Sequence, residues 1–315
     1  MKISVRRRFR VRAMQFLYAQ YISGLDCNVV ENNMLQSVDK IYDLYICLLN
    51  LVLAIRDRAL QKMKAVKERK LIIRRDFAFS RKFAGNVLLE ILSKNVYLSD
   101  YSAKNQQLTW QEHMSYVILL FEELQHWPYY KEYVIQEESS FEADKDFILK
   151  CYEKHIKPHQ KLHEWFEDQY ITWVDDLEVA HSMAYDTLKF IKNTTPVHFR
   201  LYSIYKDIED KNFIIMLYRK TLSNCEPFNE LIRSVASNWD LERMAILDKI
   251  ILQMALCEFI YFPTIPPKVT MNEYIEITKI YSTGKSKIFV NGMLDQLFKV
   301  LYKQEKILKI GKGLM

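Results

Sequence analysis

Glycine and proline are scarce, with six and seven residues in a chain of 315. The one close glycine pair is Gly311 and Gly313, so neither a dinucleotide-binding glycine turn nor a P-loop phosphate cradle can be drawn. Few turn formers beside many long side chains favour helices with short connections. The five cysteines (Cys27, Cys47, Cys151, Cys225 and Cys257) are odd in number and widely spaced. That excludes a disulfide or zinc framework and points to core thiols in a reducing compartment. A long apolar run is also missing. The longest, LYICLLNLVLAI at 44–55, contains Asn50 and is closed by Asp43 and Arg56. A membrane span needs roughly 20 residues, so a buried helix and a cytoplasmic protein are expected. No nucleophile elbow, kinase set or metalloprotease helix is present. The chain therefore reads as a non-enzyme that needs no cofactor.

What is present is local charge. The net charge is +6, from 45 basic and 39 acidic residues. Residues 1–12 hold Lys2, Arg6, Arg7, Arg8, Arg10 and Arg12 and no acid. Without those six the chain is neutral, so the excess sits in one place. A second basic block covers 56–82, and residues 112–178 lean acidic. A neutral body with a basic terminus suggests a directed polyanion contact. The apolar residues after the arginines are interrupted by Gln15 and Gln20, so a secretory leader is not the expected reading.

Apolar residues recur at helical spacing almost throughout, and strict alternation does not. The pattern predicts helices at about 7–22, 31–69, 76–94, 109–125, 144–156, 159–169, 175–192, 198–206, 210–222, 226–237, 241–261, 271–281 and 286–303. Thr270 and Glu273 form a capping box that predicts a helix start there. An internal echo aligns DKDFILKCYEK at 144–154 with DKNFIIMLYRK at 210–220, and the same offset pairs Glu164 with Glu230 and Trp173 with Trp239. It suggests a duplicated helical unit. His155, His159 and His163 share a helical spacing, but Pro158 interrupts them and no ligand partner is suitably placed, so a solvated face is expected and no metal.

Two stretches carry candidate chemistry. In RRRFRVRAMQFLYAQY at 6–21, Phe9, Ala13, Phe16, Leu17 and Gln20 fall on one helix face, and Arg7, Arg8, Val11, Arg12, Gln15 and Tyr18 on the opposite one. The second face combines charges for phosphates, an amide for a base edge and a ring for stacking, the elements of single-stranded RNA binding. Nearer the end, a turn at Ser282–Lys287 leads into a helix whose start carries Lys285 and Lys287 beside Phe289, where an anion is favoured. Val290, Met293, Leu294, Leu297 and Leu301 form its core stripe, and Gly292 is expected to allow close helix approach.

Asp248, Leu252, Ala255 and Glu258, the segment Pro266 to Glu276, FVNGMLD at 289–295 and the opening RRRFRVRAMQFLYAQ together resemble the NusB transcription antitermination factors, in the longer form seen in Bacteroidetes. The resemblance covers about 1–22 and 205–305. It implies an all-α, NusB-like helical bundle formed by 1–24 and 200–305, with 25–199 as a large inserted or duplicated helical region and 306–315 as a flexible tail. It implies a bacterial protein without catalysis that binds boxA RNA together with the small-subunit ribosomal protein NusE. With NusA and NusG, RNA polymerase then resists termination, notably on ribosomal RNA operons. Carried over, Arg6, Arg7, Arg8 and Tyr18 form the RNA side with Lys285, Lys287, Phe289 and Asn291. Glu242, Arg243, Asp248 and Glu258 form the NusE side. Lys285 and Gln253 depart from the residues usual at their positions. An alternative is a scaffold related to the RNA-binding domain of ribosomal RNA cytosine methyltransferases. The methyltransferase itself would need a glycine-rich Rossmann half and a catalytic Cys after the NusB-like part, which is not expected with about ten residues following 305.

Overall fold

The structure, a computed structural model, describes residues 5–68, 81–136, 140–236 and 244–314. Every regular element among them is helical. In chain order the helices are α1 (Val5–Ser23), α2 (Cys27–Glu68), α3 (Val87–Ser93), α4 (Val96–Lys104), α5 (Met114–His126), α6 (Pro128–Ile135), α7 (Phe141–Cys151), α8 (Gln160–Gln169), α9 (Trp173–Phe190), α10 (Ile208–Ser223), α11 (Cys225–Val235), α12 (Ile246–Tyr261), α13 (Pro267–Tyr281) and α14 (Gly284–Lys303). The chain divides into two compact units. The middle unit is Asp39–Ile204, and the terminal unit joins Ile3–Val38 to Tyr205–Met315. Residues 25–38 thus group with the terminal unit rather than with an insert. Among the described residues no helix is long and apolar enough to cross a membrane.

The terminal unit is organised around α12, in which every residue from Ile250 to Phe259 is buried. A helix that is apolar nearly all round must be enclosed, and α1, α10, α11, α13 and α14 all pack on it. The stripe Val290, Met293, Leu294, Leu297 and Leu301 on α14 is buried as its spacing predicts. Gly292 has open space around it, so close helix approach is not its role. Residues 306–314, expected to be loose, dock instead. Lys309 Nζ donates to the carbonyls of Glu258 and Phe262 at 3.2 and 2.9 Å, placing a cation on the C-terminal end of α12. Burial lowers its pKa to about 8. A side chain at Gly313 would meet the Pro263 carbonyl oxygen at 1.9 Å, so glycine is required there.

The capping box fails for a clear reason. Helix α13 begins four residues before the predicted start, with Pro267 in its first turn. Thr270 and Glu273 are then inside the helix and serve other elements. The Thr270 hydroxyl donates to Glu258 on α12, and Glu273 receives Arg7 of α1.

In the middle unit, Asn86 and Asn95 are fully buried and cap α3 and α4 by accepting from Leu89 N and Leu98 N. Helices α4 and α6 were not predicted. Both are short, and α6 begins on Pro128, which fits the first turn of a helix. The predicted helix at 198–206 is absent. A π-helical turn, Tyr152–Ile156, follows α7. The three histidines tie elements together. His155 Nε2 meets Leu120 O at 2.9 Å, His159 meets Glu123 at 3.1 Å, and His163 meets Lys157 O at 2.7 Å. Among the described residues no three metal-ligating side chains cluster. Cys47, Cys151 and Cys257 are buried, and burial raises the thiols of Cys151 and Cys257 to about 12.

His181 on α9 is buried, with Nδ1 2.8 Å from the Tyr152 hydroxyl. Burial, reinforced by His163 and Lys157, lowers its pKa from 6.5 to about 3. A depressed histidine stabilises fully above its unfolded value and loses that contribution as pH falls from about 6.5 towards 3. One proton taken up by the unfolded state alone costs about 1.4 kcal/mol per pH unit. The urea midpoint should fall between pH 7 and 5, and less steeply in His181→Gln. Parallel pH profiles for the two proteins would refute this.

Candidate nucleic-acid interface

Helix α1 lies against both α10 and α12. That placement buries more of it than a single apolar stripe would. Phe9, Ala13 and Leu17 are buried as expected, and so are Arg10, Val11, Arg12 and Met14. Its arginines, which have no acid in their own segment, find acids on other helices. Arg6 Nε meets Asp210 of α10 at 3.0 Å. Arg7 makes a two-point contact with Glu273 of α13 at 2.7 and 2.9 Å. Arg10 makes another with Glu258 of α12, at 2.8 Å for each bond. Glu258 also accepts from Thr270 at 2.7 Å and Tyr274 at 3.3 Å. Burial by itself favours a neutral Arg10, but the charge and hydrogen bonds of Glu258 outweigh it and raise its pKa. The Glu273 hydrogen bond likewise raises that of Arg7. The Phe213 ring lies beneath both Arg6 and Arg10, at 5.6 and 5.1 Å.

These contacts sort the expected RNA side. Arg12 is only 2% exposed, and its guanidinium donates to Gln15 at 3.0 Å. It faces inward because α1 has neighbours on both sides, so the outward placement expected for it is corrected. Arg7 is largely enclosed by Glu273. Arg8 is half-buried and its Nε has no partner. Tyr18 is 41% exposed. On α14, capped by Thr283 accepting from Ser286 N, Lys285, Lys287 and Asn291 are exposed and Phe289 is half-buried. Glu276 on α13 links the two stretches. It pairs with Lys279, and the charges of Arg7 and Lys287 further lower its pKa. The basic starts of α1 and α14 therefore share one electrostatic neighbourhood.

The expected NusE side is rearranged as well. Glu258 is fully buried with Arg10, and Asp248 is 4% exposed and accepts the Ser282 hydroxyl at 2.7 Å. Neither carboxylate is open to a partner. Both hold α12 to its neighbours, a use that a helix spacing cannot distinguish from a contact surface. Glu242 and Arg243 lie outside the described residues, as do Trp239 and the stretch 69–80 of the second basic block. Gln253 is buried and donates to Asn229 at 2.8 Å. Sequence reasoning missed Asp210 and Glu273 as partners of the arginines. The signal was available: five arginines without an acid on a helix with a core stripe need acids from the elements that cover it.

An all-helical bundle built around an apolar central helix, with a basic first helix bound to it by buried ion pairs, defines the class. The NusB family model matches residues 177–299. Transcription antitermination protein NusB of Salinibacter ruber is 40% identical over 110 residues, covering 35% of this chain and 69% of that protein. The NusB protein of Chloroherpeton thalassium is 41% identical over 109 residues, 35% of this chain and 52% of its own length. That of Methylacidiphilum infernorum is 41% identical over 93 residues, 30% of this chain and 65% of its own. The chain thus spans between about half and two thirds of the relatives it matches. No solved structure matches it. The chain belongs to the NusB family.

Proposed function

We propose that this protein is a transcription antitermination factor whose terminal unit binds boxA-type RNA. NusE would bind with it, and NusA and NusG would join them on RNA polymerase to resist termination on ribosomal RNA operons. The relatives' names support the role. The observation that carries the RNA part is Glu276, which feels both Arg7 of α1 and Lys287 of α14; Arg8 and Lys285 are their neighbours along those helices. Arg8 lacks an acidic partner, and both lysines are exposed. Tyr18 supplies an open ring for stacking, and Arg6, Gln15, Phe289 and Asn291 flank these groups. For NusE, Glu242 and Arg243 remain the candidate residues.

The test is binding of labelled boxA RNA, with and without NusE, at 50 and 200 mM salt. A single strand contributes a salt slope of about 0.7 per neutralised phosphate. Arg8→Ala/Lys285→Ala/Lys287→Ala should therefore flatten the slope by about 2 and weaken binding at least tenfold at low salt. Arg7 is left intact because its removal would strand Glu273. Unchanged affinity and slope would remove the reading.

A further inference from the structure

The middle unit carries a basic and aromatic surface that the α1 and α14 reading does not use. Residues 187–204 contain no acid but hold Lys189, Lys192, His198 and Arg200, interleaved with Phe190, Phe199 and Tyr202. After α9 ends, this stretch forms no helix, yet it is pinned along its length. Lys145 Nζ donates to Ile191 O at 2.8 Å. Val96 N donates to Val197 O at 3.1 Å, and the buried Asn95 side chain donates to Phe199 O at 2.8 Å. Tyr202 N donates to the hydroxyl of Tyr45, which in turn donates to Thr187 Oγ1 at 2.6 Å. A strap held at four carbonyl and amide groups presents its side chains in a fixed arrangement.

Those side chains surround an open pocket of ≈ 170 Å³, lined by Thr187, Phe190, Phe199, Arg200, Leu201 and Tyr202. A cavity of about 150 Å³ is enough to admit one six-membered ring. Phe190 and Tyr202 border it while remaining 55% and 44% exposed, and Phe190 lies 6.2 Å from the buried Phe199. Their faces are left bare at a concave spot of ring size. The charges around them are of one sign. Lys189, Lys192 and Arg200 are exposed, and none takes part in an ion pair among the described residues. Aromatic faces beside cations with no acid are the chemistry of single-stranded nucleic acid contact, in which bases stack and the backbone follows the charge. An apolar peptide would leave these cations without partners, and the pocket has room for one ring, not for a helix face.

We propose that this pocket takes one base of a single-stranded RNA, stacked between Phe190 and Tyr202, with Arg200, Lys189 and Lys192 on the flanking phosphates. The proposal rests on the RNA-binding reading above and gives the middle unit a contact of its own. Base–aromatic stacking falls by about 1–3 kcal/mol per base on alanine substitution, which is about five- to 150-fold in affinity.

The experiment uses the full chain and a fluorescein-labelled single-stranded 12-mer RNA at 50 mM salt, with the same RNA as a duplex for comparison. Phe190→Ala/Tyr202→Ala should raise the Kd for the single strand at least fivefold without changing that for the duplex. Arg200→Glu, at an exposed position, should do the same and guards against a folding defect in the double variant. Photo-crosslinking should place an adduct on the peptide containing 190–202. If the intact chain binds RNA and both variants match it, the pocket does not take a base, while the terminal-unit reading stands. If the intact chain binds no RNA, both fall together. Equal losses for single strand and duplex would overturn base stacking.

Discussion

Replacing Glu258 by alanine should destabilise the protein by about 3–5 kcal/mol, the usual cost of stranding one member of a buried ion pair. The guanidinium of Arg10 would keep its charge with only the more distant Glu273, 3.8 Å away and already bound to Arg7, and the Thr270 and Tyr274 hydroxyls would lose their acceptor. Against a total stability of about 5–15 kcal/mol, that is a large fraction. Glu258→Gln separates charge from shape. The amide oxygen can still accept from Thr270, but Arg10 loses its two-point carboxylate partner and keeps only the distant Glu273, so most of the loss should remain. Arg10→Met/Glu258→Leu removes both charges and keeps apolar volume. It should recover a large part of the loss, because an apolar pair often matches a buried ion pair. Urea unfolding measures all three. A loss below about 1 kcal/mol in Glu258→Ala would mean that water reaches Arg10. A double variant no better than the single would mean that packing, not charge, holds α1 to α12.

The same contacts show which parts of the molecule were legible in the sequence. Helix periodicity reported α14 well, because its apolar stripe faces one side and burial follows spacing. For α12 it located the helix but not the use of Asp248 and Glu258, since that helix is enclosed on all sides. It misjudged α1. A helical wheel assigns one buried face and one solvated face, whereas α1 has α10 on one side and α12 on the other. The wheel places Arg12 outward and leaves Arg10 on neither face, although each is 2% exposed. The acids that make this possible, Asp210, Glu258 and Glu273, lie about 200 or more residues away in sequence, beyond any local pattern. Glu273 was noticed, but as the partner of Thr270 in a capping box. The exposure of Lys285 and Lys287 was legible because they sit in the first turn of a helix and need no distant partner. The pocket of the middle unit was not, since its residues lie in a stretch predicted as helix at 198–206. There the pinning bonds to Asn95 and Tyr45 override local propensity.

Phe147→Ala should cost about 3–5 kcal/mol, the range for a large aromatic removed from a core, and should act on the middle unit. Phe147 is 1% exposed and touches five rings: Phe83, Trp127, Tyr129, Tyr130 and Tyr133. Tyr133 stacks on it at 4.0 Å and also donates its hydroxyl to the buried Asp144 at 2.7 Å. Removing the ring would loosen both the aromatic cluster and the hold of Asp144 on Val87 N at the start of α3. The echo supplies an internal comparison. Asp144, Phe147, Ile148, Cys151 and Tyr152 match Asp210, Phe213, Ile214, Leu217 and Tyr218, and all ten are buried. In each unit the aspartate secures the beginning of another helix, Val87 N of α3 in one and Arg6 of α1 in the other. The two helices thus share a burial pattern and a use of the aspartate. The phenylalanines differ in company, since Phe213 has one ring neighbour, Phe262, and two guanidinium groups. Phe147→Leu should therefore cost more than Phe213→Leu, because five ring contacts are lost rather than one ring and two cation contacts. Hydrogen exchange should localise the loosening to 39–204 for Phe147→Leu and to 5–38 with 205–314 for Phe213→Leu. Equal losses spread over both units would show that the two positions are not energetically separate, and would count against reading the echo as two independent cores.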